Sequence, residues 1–163
     1  MSSLTAFLPP ILNLDGEWEE ILKKLYRVFE KDFKKRKLFY KNLRVKYDNR
    51  KNSNNKEEAF WHLITKKDKK HGRLIDYNRA KRLPWVRPII ENYNNSEIKD
   101  FNYLEGFGGI RKYLWLENYD FVVILEKKIN KKYIILVTDF YVDYNWKRKD
   151  LERKYQQRIE NCI

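Results

Sequence analysis

The stretch "IRKYLWLENYDFVVILEKKINKKYIILVTDFYV" (110–142) decides the fold. It contains three runs rich in β-branched and aromatic residues: IRKYLWL (110–116), DFVVILEKK (120–128) and KYIILVTDFYV (132–142). The connectors EN (117–118) and INK (129–131) are short. Links of that length join neighbouring strands as antiparallel hairpins. The middle run, FVVIL, does not alternate apolar with polar residues, which predicts a central strand covered on both faces.

Upstream, SEIKDFNYL (96–104) is expected to be a strand or an ordered loop, and GFGG (106–109) a turn. LFYKNLRVKYD (38–48) reads as one strand or two short ones, and AFWHLIT (59–65) as a strand placing Phe60, His62 and Ile64 on one face. KKDKKHGR (66–73) reads as a charged turn, and 49–58 as a polar loop. Trp18, Ile21, Leu22, Leu25, Val28, Phe29 and Phe33 mark an amphipathic helix from Glu17 to about Lys35, with Asp15 as its N-cap. Lys34–Lys37 would place cations at its C-terminal end. Pro84 and Pro88 inside DYNRAKRLPWVRPIIENY (76–93) predict two short helices, or one kinked at Pro84. Residues 1–14 read as an arm, and 145–161 as a basic helix with Trp146, Leu151, Tyr155 and Ile159. The fold class is α+β in a single domain of 163 residues: a helix or two, an antiparallel sheet of four to five strands, and a C-terminal helix.

Hydrophobic residues make up 42% of the chain, enough for a core, yet the net charge is +13. Such a charge speaks of partners rather than of fold: nucleic acid first, then an anionic membrane surface or an acidic protein. Residues 66–87 carry nine Lys/Arg against two Asp, and 31–51 carry ten against two. The C-terminal helix adds six against two over 146–158. Phe39, Tyr40, Tyr47, Trp85, Tyr141, Tyr144 and Trp146 lie among these cations, as rings on which bases stack. Trp85, next to Pro84, suits a core plug better than a stacking platform. The plain alternative is that Lys-rich loops are simply solvated surface.

A single cysteine, Cys162, forbids an intrachain disulfide and favours a reducing compartment. One Cys and two His do not make a zinc site. The N-terminus has no basic n-region, and no apolar run approaches the roughly 18 residues that span a bilayer. The expectation is a cytoplasmic protein with no membrane association.

The succession FWHLITK, RAKRLPWVRPIIEN, YLWLENYDFVVIL, YIILVTDFYVDY and KRKDLERKYQ resembles the phage-associated branch of the barnase–EndoU–colicin–RelE-like nuclease superfamily (the BECR fold) over roughly 57–156. That resemblance implies a helical N-terminal part on a curved antiparallel sheet. It also implies a metal-independent ribonuclease, often a toxin, that needs no cofactor, acts on RNA such as tRNA or mRNA, and is held in check by an acidic antitoxin or immunity protein. It marks His62, Arg79, Arg82 and Thr138 as the catalytic set. The last strand departs from the usual Thr-Ala-Tyr or Thr-Ala-Phe pattern, reading Thr138-Asp139-Phe140, with Asp139 expected to point away from Thr138.

The chemistry suits these residue types. Metal-free RNA cleavage uses the substrate's own 2′-OH, a base to take its proton, an acid for the 5′-oxygen and cations for the phosphorane. His62 titrates near neutrality. Arg79 and Arg82, three apart on a helix, offer paired N–H donors to one anion, and Thr138 can donate to a phosphate oxygen or orient the histidine. Lys66, His71, Arg87, Tyr141 and Tyr144 are expected around them as substrate-binding groups, with His71, Lys66 or Lys67 as the second proton-transfer group. Against this stands the ordinary reading of a lone histidine in an apolar run, a satisfied core residue. Two rival functions follow: a non-catalytic nucleic-acid-binding module, or an accessory protein that binds an acidic partner.

Overall fold

The structure, a computed structural model, describes residues 6–52, 54–106 and 109–160. Phe107 and Gly108 of the expected GFGG turn, and Cys162, lie outside the described residues.

The three decisive runs form β6 (Ile110–Leu116), β7 (Phe121–Lys127) and β8 (Tyr133–Tyr141), paired antiparallel in succession. SEIKDFNYL supplies β5 (Ile98–Leu104), and LFYKNLRVKYD gives two short strands, β1 (Phe39–Tyr40) and β2 (Leu43–Lys46). The curled sheet has six strands in the order β1-β2-β8-β7-β6-β5, one more than expected. It is mixed rather than antiparallel throughout, because β2 runs parallel to β8, with Arg44 opposite Tyr133 and Lys46 opposite Ile135. Tight hairpins force antiparallel pairing; the long excursion between β2 and β8 leaves the chain free to return in either direction.

β7 is buried on both faces, as its unbroken apolar run requires. Phe121, Val123 and Leu125 join one core beneath the helices α1 (Trp18–Phe29), α2 (Glu58–Ile64), α3 (Tyr77–Lys81) and α4 (Val86–Glu91). Val122 and Ile124 join a second core with Phe101, Trp115 and Leu151, the last from α5 (Asn145–Gln156). Among the described residues no helix is long and apolar enough to cross a membrane.

In α1, Ile21, Leu25 and Phe29 face the core. Its N-cap is Glu17, without a side-chain hydrogen bond, rather than Asp15, whose own N–H donates to Asn13 Oδ1 at 2.9 Å. The helix widens into a π-turn at Glu30–Lys34. The carbonyls around that end are held by Arg87 from α4. Its Nη1 donates to Asp32 O at 2.6 Å and to Arg36 O at 3.2 Å, and its Nη2 to Lys37 O at 2.7 Å. Pro84 sits in a single 3-10 turn, Leu83–Trp85, between α3 and α4, so the proline-bearing stretch is two short helices as expected. Trp85 is a core plug: it packs edge-on against Phe121 and donates to Pro9 O at 2.9 Å, tying the arm down.

Two segments differ from expectation. AFWHLIT is the helix α2, not a strand. Ala59, Phe60, Leu63 and Ile64 are the buried positions, a helical spacing, with Trp61 and His62 only half-buried. KKDKKHGR is a hairpin, β3 (Thr65–Asp68) with β4 (Gly72–Ile75), in which Lys67 faces Arg73. Asp68 Oδ2 closes its turn by accepting from the N–H groups of Lys70 and His71. Gly72 supplies the positive φ of 77°.

Candidate active site

A helix leaves its last carbonyls without intrahelical partners. At the C-terminal end of α2 side chains from three other places meet them. Thr65 Oγ1 donates to Trp61 O at 2.5 Å. Thr138 Oγ1 donates to His62 O at 3.0 Å from β8, beside a bulge where Ile124 pairs with Thr138 but Leu125 with Leu136. Arg73 Nη2 and Arg79 Nη1 both donate to Thr65 O, at 3.0 and 2.7 Å, and Arg73 Nε donates to Thr65 Oγ1 at 2.7 Å.

The residues singled out from the sequence therefore come together only in part. Arg79 and Thr138 converge on the backbone that carries His62, not on its imidazole. Arg79 is also paired with Asp76 at 3.4 Å. Arg82 does not share an anion with Arg79: α3 ends at Lys81, and Arg82 leaves the helical path at φ −101°, ψ 10°. Its guanidinium lies 4.1 Å from the centre of the half-buried Tyr141 ring, and Nη1 donates to Asn78 O at 3.0 Å. Arg87 is buried on the carbonyls in and just after the π-turn, so a substrate-binding role does not fit it. His71 stands on the exposed hairpin turn, with Nδ1 2.8 Å from Asp68 Oδ2. Lys66 and Lys67 are exposed on β3, which begins where α2 ends. Tyr144 is exposed just before α5, with the Lys147 ammonium over its ring.

His62 is not sealed in the core. Its side chain is 40% exposed, with Nε2 3.9 Å from Glu58 Oε2 one turn earlier. Partial burial, and then the charges of Arg73 and Lys67, push its pKa below the usual histidine value, against the pull of Glu58 and Asp48. That direction favours the neutral form of the imidazole, the one that accepts a proton. It lines a cleft of about 550 Å³ that also holds Lys46 and Lys128. Sequence reasoning missed Glu58, Thr65 and Arg73. Glu58 is visible as a partner only once α2 is read as a helix, four residues before His62. Arg73 needs the hairpin that sets it opposite Lys67.

Asp139, expected to point away from Thr138, is fully buried, paired across the sheet with Val123, and neither carboxylate oxygen has a hydrogen-bond partner among the described residues. Burial drives its pKa well above the usual carboxylate range; Arg79 opposes that shift and Asp76 adds to it. The folded chain therefore keeps this proton where the unfolded chain releases it. Stability from this group falls as pH rises above about 4, by about 1.4 kcal/mol per unit, until the folded pKa is passed. Asp139→Asn is expected to remove that slope. Its advantage over wild type in urea unfolding should grow as pH rises from 5; parallel curves for the two proteins would mean that the carboxylate is ionised and paired.

No protein family, curated protein or solved structure among those compared matches the chain.

Proposed function

We propose that the chain is a cytoplasmic, metal-independent endoribonuclease, used as a toxin by a phage or other mobile element and restrained by an acidic inhibitor. The observation that carries the reading is the His62 side chain: a solvent-reachable imidazole beside a cleft that also holds Lys46 and Lys128, its pKa lowered by burial and by the charges of Arg73 and Lys67. In this reading His62 accepts the 2′-OH proton as that oxygen attacks the adjacent phosphorus. Arg73, Lys66 and Lys67 offset the charge growing on the phosphorane, and Lys66 or Lys67 returns a proton to the departing 5′-oxygen. Arg79 and Thr138 are positioning residues that fix the end of α2.

Attack by the 2′-OH leaves a 2′,3′-cyclic phosphate. Protein treated with EDTA and incubated with total RNA is expected to yield fragments bearing that terminus. Intact RNA overturns the proposal.

A second reading is favoured by the commitment of Arg79, Arg87 and Thr138 to backbone carbonyls, which leaves fewer groups for chemistry. It makes the chain a non-catalytic RNA-binding module whose affinity falls steeply with salt while the RNA stays whole.

A further inference from the structure

α2 has a second cleft on its other side, of about 480 Å³. Its walls include three aromatic rings from separate elements: Trp18 at the start of α1, Trp61 on α2 and Tyr77 at the start of α3. Trp18 is 41% exposed and Tyr77 45%, although both sit beside a large apolar core that does not take them in. The Trp61 indole N–H has no acceptor among the described residues. Asn52 and Asn54 add amide groups from the loop before α2. Arg73 closes the cleft on the hairpin side with Nε and Nη2 fixed on Thr65, and Lys67 sits opposite Arg73 in that hairpin.

Flat aromatic faces suit the π-surface of a nucleobase, and side-chain amides suit its donor and acceptor edge. The guanidinium at the boundary suits the phosphate attached to that nucleotide. Glu58 also lines this cleft while its carboxylate approaches His62, so the cavity lies one helix face away from the imidazole.

We infer that this cleft is a nucleobase subsite. It holds one unpaired base of a single-stranded RNA, while the adjoining phosphate passes over Arg73 toward His62. The inference rests on the reading of the chain as an RNA-handling protein, but not on cleavage. A purely structural cavity would have no use for two exposed rings, Trp18 and Tyr77, beside the partly buried Trp61. The subsite gives the protein a preference at one nucleotide beside the scissile bond, set by stacking and the two asparagine amides.

The test uses the full chain and a six-nucleotide RNA made uncleavable by 2′-fluoro sugars, compared with a same-length oligonucleotide of abasic residues. Indole fluorescence and a competition assay read binding. The base-bearing strand is expected to bind roughly tenfold more tightly or better, the scale of one stacked base. Trp18→Ala and Tyr77→Ala should each shrink that advantage without changing affinity for the abasic strand, and Trp18→Phe should restore most of it. Equal affinity for the two strands, or no binding of either, overturns the subsite. A base preference in a protein that never cuts RNA keeps the subsite and removes the ribonuclease reading. Cleavage without a base preference does the reverse.

Discussion

On the proposed ribonuclease reading, His62→Ala protein is expected to cleave RNA about 10²–10⁴-fold more slowly than wild type, the usual cost of losing a general base, and to fold normally. The side chain is 40% exposed, and its contact with Glu58, at 3.9 Å, is too long for a hydrogen bond. The contribution of His62 to the fold is its backbone carbonyl, which accepts from Thr138 and survives the substitution. Thermal midpoints should therefore stay close while rates diverge. The pH dependence adds a check that a structural role cannot mimic. The imidazole is held below the ordinary histidine value, first by burial and then by Arg73. The acid limb of kcat/KM should accordingly lie below about 6.5, the unperturbed value. Arg73→Gln removes one of the charges pushing it down and should move that limb upward. If the alanine variant cuts as fast as wild type, the histidine is not the base.

Arg87→Ala is expected to cost about 3–5 kcal/mol of stability, the scale of breaking a buried charged network. One guanidinium serves three backbone carbonyls and pairs with Glu91 at 3.1 Å. Of those carbonyls, Asp32 lies in the π-turn at the end of α1, and Arg36 and Lys37 lie just beyond it. Arg87→Lys keeps the charge but not the planar fork, so it should recover only part of the loss. Urea unfolding at neutral pH gives the comparison. A variant within about 1 kcal/mol of wild type would show that water replaces the guanidinium.

The contrast between Arg87 and His62 shows what the sequence could and could not reveal. The three hairpin strands, the two-sided burial of FVVIL and the break at Pro84 were all legible, because each rests on a local rule of pattern or backbone geometry. Trp85 was legible as a core plug for the same reason. AFWHLIT was not. Its aromatic and β-branched residues favour a strand, and only the burial of Ala59, Phe60, Leu63 and Ile64 against the sheet makes it helical; tertiary packing overrode local preference. That one misreading displaced the site. As a strand, the segment put His62 among the core residues of one face; as a helix, it frees the imidazole and spends Thr138 and Arg79 on the carbonyls at the helix end. The parallel seam between β2 and β8 was equally invisible, because no local signal joins Arg44 to Tyr133.

That seam has a consequence for the order of events at the ribosome. The second strand is hydrogen-bonded to the eighth, and α2 is also packed on the eighth, so these two front-half elements lack their sheet partner until nearly the whole polypeptide has emerged. Closing so long a loop is slow. The imidazole-bearing helix consequently gains its sheet contacts late, and a chain that ends before the eighth strand lacks the surface on which that helix packs.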